Sequence, residues 1–143
     1  MKRLIHQVSL AVTLSLVLGV AVVSAQNSHT LVGDIPFDFH VGKALLPAGE
    51  YTVKSTPPVS GAICIRSKDG SKSAMVQTFG LAPSKEDGVA KLVFNRYGSS
   101  YFLSQVWNPS EPIVRGLTKS KVEIEVARKA SEAQAMEVAL EKR

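Results

Sequence analysis

Between Gln26 and Thr118 the chain alternates apolar and polar residues in short runs and never sustains a helical period. In "HTLVGDIPFDFHVG", Ile35, Phe37, Phe39 and Val41 alternate with Pro36, Asp38 and His40. That pattern predicts a half-buried strand, with Pro36 at an edge or a bulge. "LLPAGEYTV" follows, with Pro47 and Gly49 suited to positions i+1 and i+3 of a type I turn, and a strand resuming at Tyr51 and Val53. "AICIRSKDGSKSAMVQTF" predicts a hairpin on a type I′ turn at Asp69-Gly70. Centring the turn there pairs Ile65 with Ala74 and Ile63 with Val76 on one face, and Cys64 with Met75 on the other. "LAPSKEDGVA", Leu81 to Ala90, reads as a polar surface loop, and "WNPSEPIVRG" breaks the ladder with Pro109 and Pro112.

A second hairpin, "KLVFNRYGSSYFLSQVW" (Lys91 to Trp107), departs from clean alternation. Its apolar residues cannot all lie on one side, as they would in a sheet with one wet face. A two-residue Gly98-Ser99 turn of type II′ pairs Arg96 with Tyr101 and Phe94 with Leu103. A three-residue loop, Gly98 to Ser100, shifts the register by one and gathers Leu92, Phe94, Phe102 and Val106 on one face. In either register the second face stays half apolar, so it needs a covering layer. Phe94, Phe102 and Leu103 should be nearly inaccessible, with Tyr101 or Trp107 at the rim.

From Lys119 the pattern changes. "SKVEIEVARKASEAQAMEVALEKR" lacks Gly and Pro and is rich in helix formers, which predicts a charged helix over 119–143. Ser120 and Glu123 have capping-box spacing. Val122, Ile124 and Val126 supply an apolar first turn to fold over the hairpin. Beyond Lys129 the stripe through Ala133, Met136 and Leu140 is thin, so removing 133–143 should leave the β-domain folded. The fold class predicted is mainly β: a small antiparallel β-sandwich or barrel over 26–118 with a C-terminal α-helix.

The first 25 residues have another character. Lys2 and Arg3 precede an apolar run from Leu10 to Val23, and Val23-Ser24-Ala25 has the small residues of a cleavage site. This is the layout of a signal peptide, short of the roughly 20 residues a membrane span needs. The expected location is therefore extracytoplasmic, periplasmic or secreted, with no membrane span after cleavage. Cleavage after Ala25 leaves 118 of the 143 residues, one domain, and lowers the formal charge from +5 to +3. The remaining cations are scattered among acids, which argues against nucleic acid as a partner. Cys64, the single cysteine, excludes an intrachain disulfide.

"PFDFHVGKALLPAGEYTV" and "KLVFNRYGSSYFLSQVW", after a leader and before a short charged helix, resemble a family of small secreted bacterial β-domain proteins of unassigned activity. Its recurring pattern is P-F-x-F-x-V-G, then L-P-A-G-x-Y, then an L-V-F…Y-F-L…W hairpin. The resemblance spans about Ile35 to Arg128 and implies export and a small β-domain.

Candidate chemistry is sparse. Asp34, Asp38 and His40 share one strand face and are the best polar constellation for an enzyme, although the solvated face of an edge strand is the favoured account of them. Cys64 with His40 would be a nucleophile pair only if the thiol were accessible. No cluster has metal-ligand spacing, no phosphate loop or nucleophile elbow occurs, and no cofactor is implied. Tyr97, Tyr101 and Trp107 are candidate ligand-binding aromatics, although core packing and cross-strand pairing are their favoured role. The leading expectation is a non-enzymatic structural or interaction β-domain, its partner open between a protein and a small apolar ligand. Its rivals are a carrier with a calycin-like cup for a small apolar ligand, and an enzyme built on Asp34, Asp38 and His40.

Overall fold

The computed structural model describes residues 30–56, 61–81, 88–111 and 113–143. The segment predicted to be a leader, with its expected cleavage site, and most of the polar loop after Leu81 lie outside them. The described residues form β1 (Thr30–Ile35), β2 (Phe39–Val41), β3 (Ala44–Leu46), β4 (Gly49–Ser55), β5 (Ala62–Ser67), β6 (Ser73–Gly80), β7 (Lys91–Tyr97), β8 (Ser100–Trp107), β9 (Arg115–Leu117), α1 (Lys121–Lys129), β10 (Gln134–Ala139) and β11 (Glu141–Lys142). The protein is mainly β with a single C-terminal helix, as the alternation predicts.

The strands make one sheet in the order β10-β7-β8-β9-β6-β5-β4-β1-β11, with the β2–β3 pair attached to β8. Two strands turn this sheet back over its own core. Ser73–Gln77 of β6 pair with β5, and Thr78–Gly80 pair with β9. The last strand does the same at the other end. Gln134–Ala139 pair with β7, whereas Glu141 and Lys142 pair with β1. The ladder is not closed, and the chain itself bridges the two edges at Leu140. Strands that change partners in this way make the corners of folded-over sheets.

Leu140 turns into the core, and its N–H donates to Ala90 O at 2.8 Å. This corner depends on Gly33 in β1. A Cβ there would stand 2.3 Å from Leu140 Cδ2 and 3.2 Å from Ala139 O.

The helix predicted over 119–143 is therefore corrected. It stops at Lys129, Ala130 is extended, and Gln134–Ala139 and Glu141–Lys142 are strands. Met136, Val138 and Leu140 also alternate with Glu137 and Ala139. The gap between β7 and β1 offers this segment hydrogen-bond partners and an apolar interior. That outweighs the few tenths of a kcal/mol per residue by which Ala, Glu and Gln favour helix. The β-domain extends past 118, and 133–143 is part of it, contrary to the expectation that this segment is dispensable.

The Asp69-Gly70 hairpin has the predicted pairs, Ile65 with Ala74, Ile63 with Val76 and Cys64 with Met75. Its turn is not type I′. Gly70 N donates to Ser67 O at 2.9 Å, and only Gly70 is left-handed, with φ +73°. Asp69 instead spends its carboxylate on the turn, accepting from Ser67 Oγ at 2.6 Å and from Ser71 N at 3.0 Å. These bonds hold its pKa down at about 2.

In the second hairpin both registers occur. Near the turn Arg96 pairs with Tyr101 and Phe94 with Leu103, as a Gly98-Ser99 turn requires, and Gly98 has φ +60°. A bulge then shifts the register, so Val93 pairs with Gln105 and Leu92 with Val106. Leu92, Phe94, Leu103 and Val106 all reach the core.

Candidate functional site

The second face of the β7–β8 hairpin carries Val93, Asn95, Tyr97 and Phe102, and two elements cover it. The β2 residue His40 pairs with Phe102, and its ring stacks on Phe102 with centroids 4.5 Å apart. From the other side α1 lowers a carboxylate. Glu123, 4% exposed, accepts from Asn95 Nδ2 at 2.9 Å and from Tyr97 Oη at 3.2 Å. Lys119 Nζ lies 5.9 Å from the centre of the Tyr97 ring. Hydrogen bonding to Tyr97, and at longer range the Glu123 charge, hold the Lys119 ammonium above its ordinary pKa.

Covering by the helix is as predicted, but the contact is not. Val122 and Ile124 are exposed, and Glu123 is the buried side chain of α1. The capping box is half formed. Ser120 Oγ accepts from Glu123 N at 3.2 Å, while the Glu123 carboxylate turns away to Asn95 and Tyr97. An ionised carboxylate with two neutral donors makes a clamp of charge-assisted hydrogen bonds, stronger than neutral ones. The S-x-x-E spacing is the one sequence signal that touches this residue, and it points to a surface role.

The sequence-predicted aromatics do not form one patch. Tyr97 is buried under α1. Tyr101 stacks on Phe37 with centroids 3.9 Å apart, and Arg96 lies over its ring. Trp107 is at the far end of β8, with Lys91 Nζ 4.6 Å from its ring centre and its Nε1 donating to Gln105 Oε1. Six residue steps along the strand, on the order of 20 Å, separate Tyr101 from Trp107. Tyr101 and Trp107 are both half-buried, and Phe94, Phe102 and Leu103 are buried, as expected.

Asp34, Asp38 and His40 likewise turn to separate tasks. Asp34 is exposed and sits opposite Glu50 in the β1–β4 ladder. Asp38 Oδ1 accepts from Ala48 N at 2.8 Å, tying down the loop before β4. His40 stacks on Phe102, and its Nδ1 is buried without a hydrogen-bond partner. Among the described residues no group of three or more His, Cys, Asp or Glu side chains is arranged to hold a metal ion.

The two motif stretches meet in one aromatic cluster. Phe37 and Phe39 both pack edge-on against Phe94, at 5.1 and 5.4 Å, and Phe39 packs edge-on against Tyr51 at 5.1 Å. The Tyr51 hydroxyl donates back to Pro47 O at 2.7 Å, and burial raises its pKa. The P-F-x-F and L-P-A-G-x-Y patterns are thus accounted for by packing and loop closure. No family model matches the chain, and neither a curated protein nor a solved structure matches it.

Proposed function

We propose that the protein is an exported, non-enzymatic β-domain that works by presenting its outer surface to a partner. The observation that carries this reading is the use of both faces of the β7–β8 hairpin within the fold. Phe94 and Leu103 fill the core beside Phe39 and Tyr51, where a cup for an apolar ligand would need space. Phe102 and Tyr97 are covered by His40 and Glu123. The separate structural tasks of Asp38 and His40 weigh against an enzyme built on them. Export draws its support from the basic start, apolar run and Val23-Ser24-Ala25 site, and from the resemblance to secreted β-domain proteins.

Trp107 fluorescence during titration with oleic acid tests this against the carrier. The emission should show no saturable shift, and Phe94→Ala should cost about 3–5 kcal/mol of stability, as for other buried aromatics. A stoichiometric shift, with Phe94→Ala leaving stability unchanged, would overturn the reading.

A further inference from the structure

The outer face of the β4–β5 pair holds a feature that the fold does not use. Tyr51, Val53, Ile63 and Ile65 point into the core, so Thr52, Lys54, Cys64 and Arg66 point out. In the ladder Lys54 lies opposite Cys64 and Thr52 opposite Arg66. The four residues form a square with the two cations on one diagonal, about 7–8 Å apart along the strand faces. They line a concavity of about 370 Å³ that continues to Lys68, Asp69 and Gly70 at the hairpin turn.

The charges around this concavity are unbalanced. Lys68 is already paired with Glu50 at 2.6 Å. The one carboxylate in the lining, Asp69, is occupied by Ser67 and Ser71. Neither Lys54 nor Arg66 has an ion-pair partner among the described residues. Arg66 is folded over the turn, with Nη2 only 2.9 Å from where a Gly70 Cβ would stand. Its guanidinium therefore forms a wall of the concavity. A planar fork of donors, an ammonium and a hydroxyl around one hollow suit a tetrahedral oxyanion.

The geometry points to a binding site for a phosphate-class oxyanion at Thr52, Lys54 and Arg66, with Cys64 on its floor. This inference rests on the outer-surface reading, and its readout is independent of export and of the core. Cys64 is the only thiol in the chain and is half-buried, so it reports occupancy directly. The purified protein is treated with N-ethylmaleimide, a neutral reagent, at fixed pH and ionic strength. One arm replaces chloride with inorganic phosphate, and another adds vesicles of phosphatidylglycerol or of phosphatidylcholine.

Phosphate should slow alkylation saturably, by about tenfold at ten times its dissociation constant. The combined variant Lys54→Gln and Arg66→Gln, both at exposed positions, should keep its melting temperature and lose the protection. Protection by phosphatidylglycerol vesicles alone, lost in the variant, would support the site with a lipid headgroup as its source of phosphate. Absence of protection in every arm, or protection that survives in the folded variant, would overturn the inference. A positive oleate titration at Trp107 would overturn the functional reading and leave this result standing.

Discussion

If Leu140 packs the corner against Gly33, where the chain bridges the two sheet edges, the two positions must be energetically coupled. Leu140 is 8% exposed and packs in the core. Truncating a buried Leu costs about 2–5 kcal/mol, and a site near a corner can relax, so Leu140→Ala should cost about 3 kcal/mol. For a domain of this size that lowers the melting temperature by about 10–15 °C. Gly33→Ala brings a methyl to 2.3 Å from Leu140 Cδ2, so the Leu side chain must move within a packed interior. Overpacking of this kind costs about 1–3 kcal/mol.

In the Leu140→Ala background the atom that clashes is gone. Only the 3.2 Å approach to Ala139 O remains, and a few tenths of an ångström of backbone movement relieves it. The double variant should therefore be more stable than the sum of the two single costs by about 1–2 kcal/mol, well above the scatter of independent sites. Urea melts of the four proteins give the coupling. Additive costs within error, or a Leu140→Ala variant as stable as the parent, would mean that the last strand does not close the core. Removing 140–143 also removes the β11 pairs with Leu31 and Val32 and the Arg143 N–H bond to Thr30 O. That loss approaches the whole stability of a small domain.

Three other outcomes follow from particular contacts. Deleting Ser104 removes the bulge and leaves a regular ladder in which Val93 still faces Gln105 and Leu92 still faces Val106, so the protein should keep its cooperative melt, and loss of that melt would refute the bulge assignment, whereas Ser104→Ala, which forfeits one bond to Val93 O, should cost about 1 kcal/mol. Glu123→Ala leaves Asn95 and Tyr97 without their acceptor and should cost about 1–3 kcal/mol by thermal melt, more than Glu123→Gln, which still presents an oxygen. Asp69 has a folded pKa of about 2, below its ordinary 3.8, so its contribution is complete above the ordinary value and is lost as pH falls from about 4 to about 2; Asp69→Asn should flatten that limb of the melting-temperature profile.

What could be read from the sequence divides by the range of the interaction that decides each feature. The Ile63/Ile65 and Ala74/Val76 pairing was legible because a period of two fixes which residues share a face, and an error of one would bury Cys64 and Met75 instead. The turn type beside it was not, because Asp69 bonds to Ser67 and Ser71 and keeps out of the left-handed region. The tail failed for another reason. Met136 and Leu140 are four apart, a helical spacing, and with Val138 they also fit a strand. Local propensity favours the helix, and only the gap between β7 and β1 decides for the strand. Glu123 was hidden by its own motif, since a glutamate at the third position of a helix reads as a capping residue on the surface. Nothing local says that Asn95 and Tyr97, on a hairpin 28 and 26 residues earlier, wait beneath it.

The apolar excess of the β7–β8 hairpin has the same kind of explanation. Turn chemistry asks for one register and the hydrophobic pattern for the other, and the bulge at Ser104 satisfies both in turn. It keeps Gly98-Ser99 as a tight turn, then moves Val106 to the core side and Gln105 to the other. The aromatic residues left over on the second face are not spare surface. Phe102 and Tyr97 become the floor on which His40 and α1 rest. Burial of α1 through a carboxylate rather than through Val122 and Ile124 fixes the helix in one rotation, because only Glu123 can reach both donors. A purely apolar contact would tolerate several. With the hairpin's apolar area committed in this way, the proposed oxyanion site falls on the outward face of β4–β5, where Lys54 and Arg66 have no ion-pair partner among the described residues and the only thiol can report what approaches them.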